Sequence, residues 1–139
     1  MTGYTARDVA KLLGLTVAQV RAFARDGLFT PARASRGAYR FSFQDLVILR
    51  TAKGLAAAKI PTRRIRRALR QLRRALPRGR SLAELRITAE GDRVVVHDGQ
   101  SAWNPESGQL QLDFHVAELA TRAAPVARRA AEAARRAEQ

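Results

Sequence analysis

The side chains best suited to chemistry lie in one short segment near the start of the chain, residues 16–26. With helical spacing, its outward positions would be Ala18, Gln19, Arg21, Ala22 and Arg25. A carboxamide can pair bidentately with adenine and a guanidinium with guanine or a phosphate, so Gln19 and Arg21 predict contact with base edges. Thr16 and the free amides of a helix start suit a phosphate oxygen. The set predicts recognition of nucleic acid.

The sequence offers little for catalysis, cofactor binding or metal binding. It has no cysteine, which excludes disulfides, thiolate metal ligands and cysteine nucleophiles. His97 and His115 stand with Asp98, Asp113 and Glu118, but without the tight spacing of a metal site. Neither a nucleophile–base–orienter set nor a glycine-rich phosphate loop is present. We therefore expect no enzyme activity, no cofactor and no metal ion.

Charge is segregated along the chain. The 26 Lys and Arg against 12 Asp and Glu give a net charge of +14, with +16 in residues 1–80, −4 in residues 81–115 and +2 in residues 116–139. A basic module of this kind suits a polyanionic partner. Arginine outnumbers lysine 23 to 3, which codon bias in a GC-rich genome would also produce. Bias would not by itself remove acids from every position between Asp45 and Glu84.

Signals for export or membrane insertion are missing from the sequence. No apolar run approaches the roughly 20 residues of a membrane span, and the first residues lack a basic-then-apolar pattern. We expect a cytoplasmic, nucleoid-associated protein that binds nucleic acid rather than a membrane. The chain stops within a helical pattern, so the sequence leaves open whether it is a piece of a longer protein.

Two short helices joined by a tight turn are predicted at the N-terminus. Thr5 and Asp8 form a capping box at the start of the first helix, and Thr16 and Gln19 form one at the start of the second. Gly14 would end the first helix. Apolar residues at helical spacing would pack the pair together: Val9, Leu12, Leu13, Val17, Val20 and Phe23. This pattern is typical of a helix-turn-helix.

A hairpin and two more helices are predicted next. Residues 28–41 favour a β-hairpin with its turn at residues 35–37. Ser42 and Asp45 form a third capping box, which opens a helix to about Ala58. Another helix begins near Pro61-Thr62, with apolar and basic sides. The apolar side holds Ile65, Leu69, Leu72 and Leu76, and the basic side holds Arg63, Arg66, Arg67, Arg70, Arg73 and Arg74.

Several of these motifs together resemble the DNA-binding domain of the MerR (mercury-resistance regulator) family over residues 4–76. The matching segments are Val20-Arg21-Ala22-Phe23, Gly27-Leu28 followed by Pro31, Tyr39-Arg40-Phe41-Ser42, Asp45-Leu46, and the run from Ile60 to Ile65. Ala22 and Ala24 depart from the family, which has an aromatic and an acidic residue at these positions, and the hairpin is one residue short.

The resemblance implies a winged helix-turn-helix that binds double-stranded DNA. The second helix would enter the major groove, and the hairpin, as the wing, would contact the flanking backbone. Arg36, Tyr39 and Arg40 are then wing contacts, with a packing role in the hairpin as the alternative for Tyr39. The arginine side of residues 63–74, which includes Arg63, is a further candidate for phosphate contact, although a run of charge is more often a solvated helix face.

The second half of the chain predicts a small β segment and a helix. Strands are expected at residues 85–87, 93–97 and 109–114, and they need a helix or a partner to cover them. Trp103 would be an anchoring core residue of the small β unit, or form a recognition loop with its neighbours. From Val116 the sequence is Ala/Arg-rich with a thin heptad pattern, and Pro125 should kink or restart that helix.

The predicted architecture is therefore mostly α with a small β component. A winged helix-turn-helix domain occupies residues 1–77, a three-stranded β segment residues 82–115, and a helix that could dimerise residues 116–139. We expect a transcription regulator that binds DNA as a weak homodimer, with RNA polymerase or another protein contacting residues 82–139. The alternatives are a DNA-tethered protein-interaction module and an architectural, excisionase-like factor.

Overall fold

The computed structural model describes residues 3–25, 32–33, 39–76, 82–98, 110 and 112–137. The helices are α1 (Ala6–Leu13), α2 (Val17–Arg25), α3 (Phe43–Ala57), α4 (Thr62–Ala75) and α5 (Val116–Ala137), with a 3-10 turn at Leu82–Glu84. The strands are β1 (Ala32–Arg33), β2 (Tyr39–Arg40), β3 (Leu85–Glu90), β4 (Arg93–Asp98) and β5 (Leu112–His115). The predicted fold class, mostly helical with a small sheet and a C-terminal helix, is confirmed.

The chain divides into two compact units. Residues 1–49 and 120–139 form the first, and residues 50–119 form the second. Two expectations fall outside the described residues: the hairpin turn with Arg36, and Trp103 with its loop.

In the first unit, α1 and α2 form the predicted helix-turn-helix. Thr5 and Asp8 cap α1 reciprocally, each side chain accepting the other's backbone N–H at 3.0 Å. Gly14 ends α1 in the left-handed region, at φ 69°, where a side chain would be strained. The apolar face of α1 is buried as predicted, with Val9 fully inaccessible to solvent. The end of α1 is therefore encoded in the local sequence.

The hairpin is joined to the N-terminus of the chain. Strands β1 and β2 pair antiparallel, with Ala32 opposite Arg40 and Arg33 opposite Tyr39. Beyond β2, Phe41 exchanges two backbone hydrogen bonds with Tyr4, at 2.8 and 2.9 Å, and its side chain is fully buried. The base of the wing is thus fixed to the residue that precedes the first capping box.

Helix α3 begins at the third predicted capping box. The Ser42 hydroxyl accepts the Asp45 N–H at 3.1 Å, and the Asp45 carboxylate accepts the Ser42 N–H at 2.9 Å. Four consecutive residues, 46–49, are buried in the first unit. Burial on every side of a helical turn is expected of a central core helix.

In the second unit, α3 turns into α4 through a Schellman motif. Ile60 N–H donates to the Leu55 carbonyl at 3.1 Å, and Lys59 N–H donates to the Ala56 carbonyl at 3.0 Å. Lys59 occupies the left-handed position at φ 61°. Because this position favours glycine, lysine is strained there.

Helix α4 has the two sides that the sequence predicts. Ile65, Leu69, Leu72 and Leu76 are all buried, together with Ala68, and form the apolar stripe of the helix. This helix packs on β4. Five of the six arginines predicted on the opposite side are exposed, but the prediction is wrong for Arg66, which is half-buried.

The β segment is a three-stranded antiparallel sheet in the order β4-β3-β5. Strands β3 and β4 are joined by the two-residue turn Gly91-Asp92, and Ile87 lies opposite both Val96 and Phe114. The expectation that the sheet packs on a helix or a partner is met by α4, which packs on β4. Besides α4 on β4, the Arg50 guanidinium lies 4.8 Å from the centroid of the Phe114 ring.

Helix α5 runs through Pro125 as one helix, so the predicted restart does not occur. Its heptad positions Val116, Leu119 and Ala123 are buried within the single chain, and Val126 is half-buried. These residues were expected to supply a dimer seam, but the first half of that seam already belongs to the chain's own core. No helix among the described residues is long and apolar enough to cross a membrane.

Candidate nucleic-acid interface

The solvent-facing side of α2 is the candidate interface. Every residue that the sequence assigned to it is exposed: Thr16, Ala18, Gln19, Arg21, Ala22 and Arg25. The two alanines leave the backbone of α2 accessible between the longer polar side chains. The helix contains no acid, so its exposed side carries only positive charge.

The buried side of α2 differs in part from the sequence prediction. Val20 is fully buried as expected, but Val17 and Phe23 are only half-buried. Ala24, one turn after Val20, is the other buried residue. Residues four apart lie on the same face of a helix, so Val20 and Ala24 mark the buried face of α2. Ala24, like Val20, is therefore a core residue.

Gln19 takes part in a capping box and also faces solvent. Its Oε1 accepts the Thr16 N–H at 2.9 Å, and its own N–H donates to the Thr16 hydroxyl at 3.1 Å. The backbone donor fixes which end of the carboxamide points at the cap, because only the oxygen can accept. The Nε2 donors are therefore directed away from the cap, and one of the two lone pairs of Oε1 remains.

The same hydrogen bonds remove one of the backbone donors expected to bind a phosphate near Thr16. The Thr16 N–H is held by Gln19, so it is not one of the free amides. Val17 and Ala18 N–H make no hydrogen bond to the described residues, as is usual for the first turn of a helix. A phosphate at this helix start would thus meet these two amides and the helix dipole.

Among the predicted wing contacts, Arg40 is the residue whose side-chain exposure the structure describes. It is half-exposed, and its aliphatic stem passes over Gly3. A Cβ at Gly3 would lie 3.3 Å from the Arg40 Cβ, closer than ordinary contact. A side chain at residue 3 would therefore require Arg40 to shift by a few tenths of an ångström. Tyr39 pairs through its backbone with Arg33, and its role as a DNA contact stays a prediction.

Arg63 belongs to the second unit. It is exposed in the first turn of α4, which has no side-chain hydrogen bond at its N-terminal cap. Its contact with a phosphate stays a prediction.

Two pairs of polar side chains form hydrogen bonds within the β segment. Arg86 binds both carboxylate oxygens of Asp113, with Nε donating to Oδ1 at 2.7 Å. This hydrogen bonding lowers the pKa of Asp113. The ring of His97 hydrogen-bonds to the Thr88 hydroxyl at 2.8 Å. Among the described residues, no three His, Cys, Asp or Glu side chains lie close enough to hold a metal ion.

Two interactions at the interface could not be found from the sequence. The bridge between Tyr4 and Phe41 joins segments 37 residues apart through backbone atoms, which carry no sequence signal. The close approach of Arg40 to Gly3 is likewise between segments far apart in sequence. The only hint in the sequence is a glycine at position 3, just before the first capping box, where the cap itself does not require one.

The helix-turn-helix, the adjoining hairpin and the basic exposed side of α2 define a winged helix-turn-helix DNA-binding protein. The comparison with protein families agrees: residues 4–72 match the model described as MerR HTH family regulatory protein. This segment belongs to the MerR family, and at the level of the family the chain is a DNA-binding transcription regulator. The comparison with curated proteins gives no match.

Proposed function

We propose that the chain recognises a specific double-stranded DNA site as a homodimer, with α2 in the major groove of each half-site. The observation that carries this proposal is the exposed side of α2, which combines a carboxamide, two guanidiniums and no acid. Arg21 contacts guanine or a phosphate, and Arg25 extends the basic side by one turn. Ala18 and Ala22 allow the helix to approach the base edges closely.

Gln19 recognises bases through the amide group that the capping box leaves available. Its Nε2 donates to an acceptor such as purine N7. Bidentate pairing with adenine requires the remaining lone pair of Oε1 to accept from the adenine N6 amine. The cap thereby fixes the orientation of the side chain before DNA is bound, which lowers the entropy lost on binding.

The remaining contacts position the protein without selecting bases. Arg36, Tyr39 and Arg40 on the wing and Arg63 on α4 contact phosphates, while Thr16 and the first amides of α2 hold another. Contacts of this kind increase affinity for every sequence alike. The protein acts on DNA without catalysis, in the cytoplasm and at the nucleoid.

The homodimer is proposed to be weak in solution and to form on DNA. The structure leaves less of α5 for a partner than the heptad pattern implied, because Val116, Leu119 and Ala123 are buried within one chain. Two half-sites about one turn of DNA apart would hold both copies at high effective concentration. Residues 82–139 would also provide the surface for RNA polymerase or another protein.

The test is a selection from randomised duplexes followed by fluorescence anisotropy on the selected site. We expect Arg21→Ala to weaken binding by about 1–3 kcal/mol and to relax preference at one base pair. Arg40→Ala should weaken all sequences alike. The matched control is Arg122→Ala, which removes the same charge from an exposed position of α5. If Arg21→Ala behaves like this control, α2 does not enter the groove.

Footprinting on the selected DNA separates the regulator from its alternatives. One protected inverted repeat, bound by two copies, supports the proposal. Diffuse protection would indicate a tethered interaction module, and phased repeats with strong bending would indicate an architectural factor. A single copy on the site would refute the homodimer.

A further inference from the structure

Four arginines of α4 form a single exposed line, the arginine row: Arg63, Arg67, Arg70 and Arg74. Their spacing of four, three and four residues places them within roughly 60° of one another around a helix of 3.6 residues per turn. The buried apolar stripe of α4 lies on the opposite side. The packing that fixes α4 on β4 therefore directs the whole row to solvent.

The row has no acidic partner among the described residues. None of its four side chains takes part in a hydrogen bond or ion pair with the part of the chain that the structure describes. The sequence itself has no acid from residue 46 to residue 83. The positive charge of the row is therefore not neutralised within α4.

Uncompensated charge of this kind weakens a helix. Like charges three or four residues apart repel, and every neighbouring pair in the row has that spacing. A helix that is merely solvated usually mixes both signs. Helix α5 does so although it is also rich in arginine, since Glu118 lies four residues before Arg122 and Glu132 four after Arg128. Codon bias toward arginine therefore does not account for α4.

We propose that the arginine row is a second DNA-binding surface, which binds the phosphodiester backbone of duplex DNA without base preference. The row rises about 16 Å along the helix axis, a length over which one DNA strand presents about five phosphates. Arginine matches phosphate geometry through paired donors, which suits it to this contact. An acidic protein would need carboxylates at the same regular spacing. The proposal does not require α2 to enter the groove.

The experiment compares two triple variants of the full chain on a duplex of arbitrary sequence. The row variant carries Arg67→Gln, Arg70→Gln and Arg74→Gln. The control carries Arg122→Gln, Arg128→Gln and Arg129→Gln, an equal change of charge at exposed positions of α5. Glutamine favours the helix about as well as arginine, so both variants should fold, which circular dichroism verifies.

Fluorescence anisotropy over a series of salt concentrations gives the slope of log affinity against log salt. We expect the row variant to lose up to about 2.7 of the slope, or about 0.9 for each phosphate contact, while the control keeps the wild-type slope. Replacing the same three row residues with lysine should retain most of the slope, because charge is preserved.

Equal slopes for the row variant, the control and the wild type would overturn the proposal. So would an equal loss in both triple variants, which would reflect net charge alone. If the row variant binds DNA normally but loses binding to polyglutamate, the row is a surface for acidic proteins and the proposal is wrong. Base preference at a selected site, which tests α2, does not enter this measurement.

Discussion

Substitution of Gln19 should separate helix capping from base recognition. The carboxamide does both: Oε1 accepts the Thr16 N–H, and Nε2 is left for DNA. Gln19→Glu keeps an acceptor for the cap and removes the donors. Gln19→Ala removes both. We therefore expect wild type and the two variants to rank differently in folding stability and in DNA affinity.

For stability, Gln19→Ala loses one exposed hydrogen bond, about 0.5–1.5 kcal/mol, and recovers a few tenths because alanine favours helices. We expect a net loss of about 0.5 kcal/mol. Gln19→Glu places a negative charge in the first turn of α2, where the helix dipole contributes about 0.3–1 kcal/mol. The expected order of unfolding free energy is Glu at or above wild type, and Ala below.

For DNA binding, Gln19→Ala should cost about 1–3 kcal/mol at the selected site, or roughly 5- to 150-fold. Gln19→Glu should cost at least as much, because its charge also repels phosphates. Urea unfolding followed by circular dichroism and anisotropy on the selected duplex measure the two orders. Thr16→Ser is the control, since it keeps the capping hydroxyl.

Wild-type affinity in Gln19→Glu would refute base recognition by this residue and leave it only a capping role. Equal stability of Gln19→Ala and wild type would instead show that the cap contributes nothing measurable. Either result would remove the argument that the cap orients the side chain for DNA.

Three further predictions concern the stability of the fold. Lys59→Gly should stabilise the protein by about 0.5–1 kcal/mol, because it relieves the left-handed strain of lysine. Part of this stabilisation is offset because glycine raises the conformational entropy of the unfolded chain. Urea unfolding measures the net change. Asp113→Asn should lower stability at neutral pH, where the ion pair with Arg86 is intact. Because the pKa of Asp113 is lowered in the folded protein, this difference should disappear as pH falls through that pKa, and Arg86→Gln should show the same profile. Leu119→Ala should cost about 2–5 kcal/mol at every protein concentration, since Leu119 is a core residue of one chain; a loss that grows on dilution would return it to a dimer interface.

Local sequence signals predicted the helix starts and turns well. All three capping boxes form with both of their hydrogen bonds, and Gly14 adopts the left-handed conformation expected of a helix end. These signals depend on residues three or four apart, so they survive without knowledge of the tertiary fold. The exposed side of α2 followed from the same periodicity.

Contacts between distant segments were not predictable in the same way. The turn after α3 has lysine rather than glycine at its left-handed position, so its motif has no sequence signature. The two backbone hydrogen bonds between Tyr4 and Phe41 involve no side-chain atoms. The ion pair of Arg86 with Asp113 joins β3 and β5, whose register depends on residues far apart in sequence.

The heptad pattern of α5 shows why periodicity alone cannot assign a partner. A stripe of apolar residues requires cover, and the sequence does not say whether the cover comes from the same chain or from a second copy. The structure divides the stripe: Val116, Leu119 and Ala123 are buried within one chain, and burial is only partial at Val126. Deleting the whole helix would therefore remove core residues together with any dimer seam. Dimerisation has to be tested by substitutions at Val126 and beyond, with sedimentation on and off DNA as the measurement.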